Sequence, residues 1–195
     1  MHAISDIDIE TLFTGAHTHH VWLEKEVDEA LLLRAYDLAK MGPTSANGQP
    51  MRVLFLRSAE AKERLAPCLN KGNVVQSMTA PVVAIIGMDM EFYEQLGRLY
   101  PHTDAKKWFV GKTRTIEDTA IRNSSLQGAY FLMALRAVGL DTGAVSGFDH
   151  AKMDAEFFAG TSVKSNFLIN IGYGDATKLH PRNPRLTFEE ACSSL

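Results

Sequence analysis

The sequence predicts a mixed α/β or α+β domain, on three observations. Segments of β character are few and widely spaced: Met51 to Arg57, Pro81 to Met88, and a strand within Lys164 to Tyr173. Several helical patterns separate the second from the third, which a regular doubly wound sheet would not show. The longest helical pattern is apolar around most of its circumference in its second half, as expected of a helix enclosed on most sides.

Each element has its own local reason. Ile7 to Phe13 reads as a short first helix. Asp28 to Met41 carries Leu31, Leu32, Ala35, Leu38 and Ala39 at helical spacing and stops at a Gly-Pro pair. Met51 to Arg57 alternates, with β-branched or aromatic residues at its centre. Ser58 is a cap for a helix to about Leu69, with Glu60 and Glu63 early in it. Pro81 to Met88 reads as a strand buried on both faces. Glu91 to Leu99 is helical. Thr115-Ile116-Glu117-Asp118 resembles a capping box opening the helix Ile116 to Val138, and Gly139 ends it in the C′ position. That helix carries a small-residue patch at Ser124, Ser125, Gly128 and Ala129, suited to a close helix crossing between subunits. Asp149 to Phe158 is a further helix, and a last short one lies near Phe188 to Cys192. No repeat or low-complexity linker divides the chain, so residues 1–195 read as one domain.

Composition excludes some functions. The 195 residues are 46% hydrophobic and 22% charged, with net charge −3, so nothing favours nucleic acid. Apolar runs are too short to span a membrane, and the acidic stretch Met1 to Glu10 lacks the order of a signal peptide. Cys68 and Cys192 are far apart and form no CxxC, consistent with reduced cysteines in a cytoplasmic protein.

The most informative stretch is Pro43-Thr44-Ser45-Ala46-Asn47-Gly48-Gln49-Pro50. It offers hydroxyls, amides and backbone N–H groups with almost no bulk, so a flat polar ligand can lie against it. Taken alone, it also reads as a plain helix-to-strand connection. Gly172-Tyr173-Gly174 follows a strand, but a lone GxG is more simply a turn than a dinucleotide fingerprint. There is no Walker A loop, HExxH or GxSxG. His17, His19 and His20 cluster without a distant carboxylate at ligand spacing, so an exposed polar loop is preferred to a metal site.

Four segments in order change the weighting: Ala16 to Trp22, Pro43 to Pro50, Asn73 to Val83, and Gly139 to Asp149. Together they resemble the nitroreductase-like flavoproteins, and the resemblance covers nearly the whole chain. Gly42 to Asn47, Arg122 to Ser125, Ser146 to Asp149, Lys164 to Asn166, Ile169 to Asp175 and Pro184 to Leu186 are similar to the malonic semialdehyde reductase branch, which makes 3-hydroxypropionate in uracil degradation. The resemblance implies a central mixed sheet flanked by helices, in an intertwined homodimer with FMN at the subunit interface. It implies an oxidoreductase that passes hydride from NADH or NADPH to a small acceptor by a ping-pong cycle through flavin N5.

Residue roles follow from the same resemblance. His17, Thr18 and His20 would hold the pyrimidine edge and phosphate side of FMN. The two histidines stand where the family often has cations, which makes these contacts pH-sensitive. Pro43, Thr44, Ser45 and Asn47 would serve the partner's flavin. Asn73 would bond the ring's polar edge, and Gln76 stands where lysine is common. Ser146 and Gly147 would bring a backbone N–H to N5. Arg182 and Arg185 are candidates for the phosphate, where a guanidinium offers parallel donors. No residue is expected to act as acid, base or nucleophile, because the flavin carries the chemistry.

The substrate's carboxylate would need a cation, with Arg122, Lys112, Arg114 and the histidines of the first segment as candidates. Trp108 and Phe109, within Tyr100 to Thr115, are candidate lid residues, although ordinary packing also accounts for them. Two alternatives remain at this point: a broad nitro- or quinone-reducing enzyme, and an FMN-binding scaffold without turnover.

Overall fold

The computed structural model describes residues 3–195; Met1 and His2, at the head of the acidic opening stretch, lie outside the described residues. The elements are α1 (Asp6–Ile9), α2 (Glu29–Ala39), β1 (Met51–Leu56), α3 (Ala59–Leu65), α4 (Lys71–Thr79), β2 (Val82–Asp89), α5 (Leu96–Leu99), α6 (Thr113–Ala137), β3 (Asp141–Val145), α7 (His150–Phe157), β4 (Val163–Gly172) and α8 (Phe188–Ala191). The four strands form one sheet in the order β1-β2-β4-β3, and all three pairings are antiparallel. The α+β class therefore stands, but among the described residues the ladders are not mixed. Among the described residues the only parallel contact is an isolated bridge between Thr18 and Thr142.

Side-chain alternation builds a core on each face of the sheet. Val82, Ala84 and Ile86 of β2, with Ile169 and Ile171 of β4, face α2 and α6 and pack on Leu32, Ala35, Phe131 and Leu135. Val83, Ile85 and Leu168 point the other way, onto Leu65, Trp22, Met153 and Phe158. This two-sided burial explains why β2 reads as an unbroken apolar run.

Several local signals act as expected. Ser58 accepts from the Ala61 N–H, and Asp149 from the Lys152 N–H. Gly139 adopts a left-handed φ of 84°, and Leu140 N–H reaches Leu135 O while Gly139 N–H reaches Arg136 O, which completes a Schellman end to α6. The capping box at Thr115 does not form. The helix has already begun at Thr113, and Asp118 pairs with Arg114 instead. Long α6 is also less enclosed than its composition implies. Phe131, Ala134 and Leu135 are buried, but Ile121, Ser125, Leu126 and Ala129 are exposed.

Two elements have little sequence signal. The α4 helix contains Gly72 and Asn73, both poor helix formers, and β3 is a five-residue strand with Gly143 at its centre. In both, tertiary packing decides. The first helix is a four-residue α turn that continues as a π turn, Glu10–Thr14.

Candidate active site

The open edge of β3 is covered by the segment after the first helix. His19 N–H donates to Thr142 O at 3.0 Å, Leu23 N–H to Tyr173 O at 2.8 Å, and Asp175 N–H to Val21 O at 3.0 Å. His19 is buried under this strap; its Nε2 lies 3.4 Å from Asp141. Its ring leaves no room for a side chain at position 174, where a Cβ would come within 1.7 Å of Nδ1. Burial pushes the His19 imidazole below its ordinary pKa, with Asp141 opposing. With His19 turned inward, His17, Thr18 and His20 line a cavity of about 520 Å³.

The rest of that cavity is cationic. Arg136, at the C-terminal end of α6, is joined by His180, Arg182 and Arg185 from the tail, and Gln76 closes one side. No carboxylate lines it. Arg182 donates to the carbonyls of Thr14 and Ala16, each at 2.8 Å, and Arg136 to Leu12 O at 2.9 Å, so both guanidiniums are fixed. The imidazoles of His20 and His180 stack with centroids 4.5 Å apart and planes 7° from parallel. Burial, then the charge of Arg182, push the Arg136 pKa down, while Asp141 acts against both. Like charges held together in this way create a standing demand for an anion, and guanidinium donors suit a phosphate.

From Gln76 a polar relay runs to the end of β3. Gln76 Nε2 donates to Asn73 Oδ1 at 2.7 Å, and Asn73 Nδ2 donates to Gly147 O at 2.9 Å. Residues 73 and 76 share one face of α4, three positions apart. The Asn70 N–H also donates to Gly147 O, and Phe148 N–H to Ser146 O. Both peptides around Gly147 are thereby oriented, yet the Gly147 N–H has no acceptor among the described residues. A Cβ at this position would lie 2.4 Å from Asn73 Nδ2, so only glycine lets the relay pass so close.

The fold thus brings together His17, Thr18, His20, Asn73, Gln76, Ser146, Gly147, Arg182 and Arg185 as a cationic cavity leading to a free backbone donor. Pro43, Thr44, Ser45 and Asn47 are elsewhere: none lines that cavity, and their loop packs on α6 and beside Leu99. Pro43, Ser45 and Asn47 are exposed. Arg122 is exposed and makes no ion pair or side-chain hydrogen bond among the described residues. Trp108 is 45% exposed and lies against Tyr100. Phe109 is buried between Phe92 and Tyr93, so packing has taken a ring considered for substrate contact. Lys112 stands at the N-cap position of α6 without a side-chain capping bond, and Arg114 is engaged by Asp118.

Arg136 and His180 are the residues that sequence reading missed. Arg136 looks like an ordinary helix-terminal cation, and only the fold brings position 136 beside 182. Among the described residues, no group of histidine, cysteine or acidic side chains is arranged to hold a metal, and no helix is long and apolar enough to cross a membrane. A larger groove of about 720 Å³, lined by Trp22, Glu24, Lys25, Glu26 and Arg57, is an open surface of mixed charge outside this relay.

Known proteins share both the sequence and this architecture. The Nitroreductase family profile matches residues 18–173. A Burkholderia lata protein named for NADH dehydrogenase/NAD(P)H nitroreductase is 56% identical over 190 residues, covering 97% of each chain. A Polynucleobacter asymbioticus protein of the same designation is 55% identical over 192 residues, covering 98% of each. The fold also matches an Exiguobacterium sibiricum crystal structure, designated a nitroreductase and solved with FMN, at TM-score 0.86 and 21% identity, covering 100% of this chain and 99% of that one. A Staphylococcus epidermidis structure designated an NAD(P)H:FMN oxidoreductase gives TM-score 0.86 at 22% identity, over 100% and 98% of the two chains. Sequence relatives across the whole length and a shared architecture lead to one assignment: this chain belongs to the nitroreductase family.

Proposed function

We propose that the protein is an FMN-dependent NAD(P)H oxidoreductase. The observation that carries this reading is the unpaired, oriented N–H of Gly147 at one end of a polar relay whose other end enters the arginine cavity. FMN has matching parts: a phosphate, and a flat ring whose nitrogens accept hydrogen bonds. The designations of the relatives, and the FMN held by the Exiguobacterium structure, support the same cofactor and reductant.

The chain's residues would then act as follows. Arg136, Arg182 and Arg185, with His20 and His180, hold the phosphate. Asn73 and Gln76 orient the ring's polar edge, and Gly147 donates its N–H to the ring. The bare glycine keeps the ring face open. When bound, FMN supplies two-electron exchange between the nicotinamide and the acceptor. Position and electrostatics are the protein's contribution.

A second copy of the chain would complete the site, because the Pro43 to Asn47 loop lies outside this protomer's cavity. Exposed apolar residues on and beside α2 and α6 support the homodimer: Met41 is 78% exposed, Leu33 61% and Ile121 48%. Leu186 and Phe188 on the tail are also exposed.

For the acceptor we propose malonic semialdehyde, supported by the branch resemblance and by the unpaired guanidinium of Arg122, suited to a carboxylate. Anaerobic mixing of the FMN-loaded protein with NADH and with NADPH tests the cofactor reading: bleaching of the visible flavin band by either supports it. Persistent colour with both would leave only an FMN-binding scaffold. Rates with malonic semialdehyde against a nitroaromatic, at one reductant concentration, test the acceptor. No turnover of the semialdehyde would leave a broad nitro or quinone reductase.

A further inference from the structure

The Pro43 to Gln49 loop is strained, and a row of side chains on α6 holds it. Ala46, Asn47 and Gln49 have positive φ values of 50°, 49° and 42°. Only asparagine among these visits that region with any ease. Three α6 residues, one and two helical turns apart, hold the loop and the first residue of the strand that follows it. Asn123 Oδ1 accepts from the Ser45 N–H at 2.8 Å, Gln127 Oε1 from the Met51 N–H at 3.0 Å, and the Tyr130 hydroxyl donates to Pro43 O at 3.2 Å. Asn123 is 1% exposed and its amide nitrogen donates to Thr119 O at 2.8 Å, which fixes the amide's orientation. With its backbone N–H satisfied from behind, Ser45 turns an exposed side chain outward that makes no hydrogen bond within the described chain.

We propose that Asn123, supported by Tyr130, is a positioning residue for the cofactor: it presets the strained loop so that Pro43, Thr44 and Ser45 present a finished surface to the flavin of the other protomer. This rests on the FMN reading above. The physical reason is preorganisation. A left-handed run of non-glycine residues relaxes once its anchors are removed, and the ligand must then supply the cost of restoring it. Asn123 itself touches no ligand and acts only through the Ser45 backbone.

The test uses the full-length protein as Asn123→Ala and, as a milder change, Tyr130→Phe. For each, FMN is titrated by fluorescence, the visible circular dichroism of the saturated flavin is recorded, and the apo protein is melted. Asn123→Ala is expected to weaken FMN roughly tenfold, the effect of one part-buried donor left without its acceptor. It should also change the visible dichroism of the flavin still bound. Tyr130→Phe should weaken FMN about threefold, in line with one exposed hydrogen bond. A merely structural role would lower the melting temperature while leaving the dichroism of the saturated site unchanged, and that pattern overturns the proposal. So does wild-type affinity in a folded Asn123→Ala. If Asn123→Ala does not fold, Tyr130→Phe decides: unchanged affinity and dichroism overturn the proposal, and a shift in both supports it. Failure of the unaltered protein to bind FMN is a different result, which removes the cofactor reading and this inference with it.

Discussion

Replacing Gly147 with alanine perturbs the relay at its tightest point. The added methyl would sit 2.4 Å from Asn73 Nδ2 and 3.2 Å from Asn70 Nδ2. The Asn73 amide has to swing away, which breaks its bond to Gly147 O and the bond it receives from Gln76. With both amides displaced, the two hydrogen bonds that Asn73 and Gln76 would give the ring's polar edge are lost, and at about 1 kcal/mol each they come to about 2 kcal/mol, or roughly a thirtyfold loss of FMN affinity. The fold should suffer less. Gly147 does not occupy a left-handed φ, and the atom displaced is the free end of a short side chain. The assay is a fluorescence titration of FMN into apo protein, alongside thermal denaturation of the apo form. Affinity within threefold of the unaltered protein, with the fold intact, would refute the argument that glycine is required here for the close approach of Asn73.

Three further outcomes follow from the geometry. Arg136→Ala should weaken FMN by tenfold or more, since charge-assisted bonds are each worth about 1.5–3 kcal/mol, and should reduce the salt dependence of binding; titration at two ionic strengths checks it. Because burial holds the His19 imidazole below its ordinary 6.5, the unfolded chain binds the extra proton first, so apo stability should fall as pH drops below about that value. Melting from about pH 8 to about pH 5 should show this slope, flattened in His19→Asn, where no imidazole titrates. Leu126→Glu, on the exposed face of α6, should yield a monomer in sedimentation that retains FMN poorly; a monomer still saturated with FMN would contradict the shared site.

The legible parts of the fold were those with strong local chemistry. β2 was readable from its apolar run, α2 from its spacing, and the end of α6 from Gly139. What escaped depended on neighbours. α4 forms from a glycine- and asparagine-bearing segment because its residues are held by the 147 loop and by Trp22, whose ring N–H donates to Gln76 O at 2.9 Å. The start of α6 was misplaced by three residues because a capping-box pattern lies inside an already formed turn. In the site, the segment pattern pointed to most of the cavity residues, but Arg136 and His180 carried no local mark. Arg182 and Arg185, which the resemblance named as phosphate candidates, lie with His180 beyond residues 18–173, the span matched by the family profile, and only the fold shows all three beside Arg136 in one cavity. His19 shows the reverse: a histidine in a promising cluster that the strap turns into the core.

The most direct test of the central claim is a crystal structure of the protein grown with FMN. The account predicts two protomers with one FMN in each crevice between them. Its phosphate should lie against Arg136, Arg182 and Arg185, with the Gly147 N–H facing the ring and Pro43 to Ser45 of the other copy alongside. A crevice without FMN, or FMN bound wholly within one protomer and away from Gly147, would contradict it.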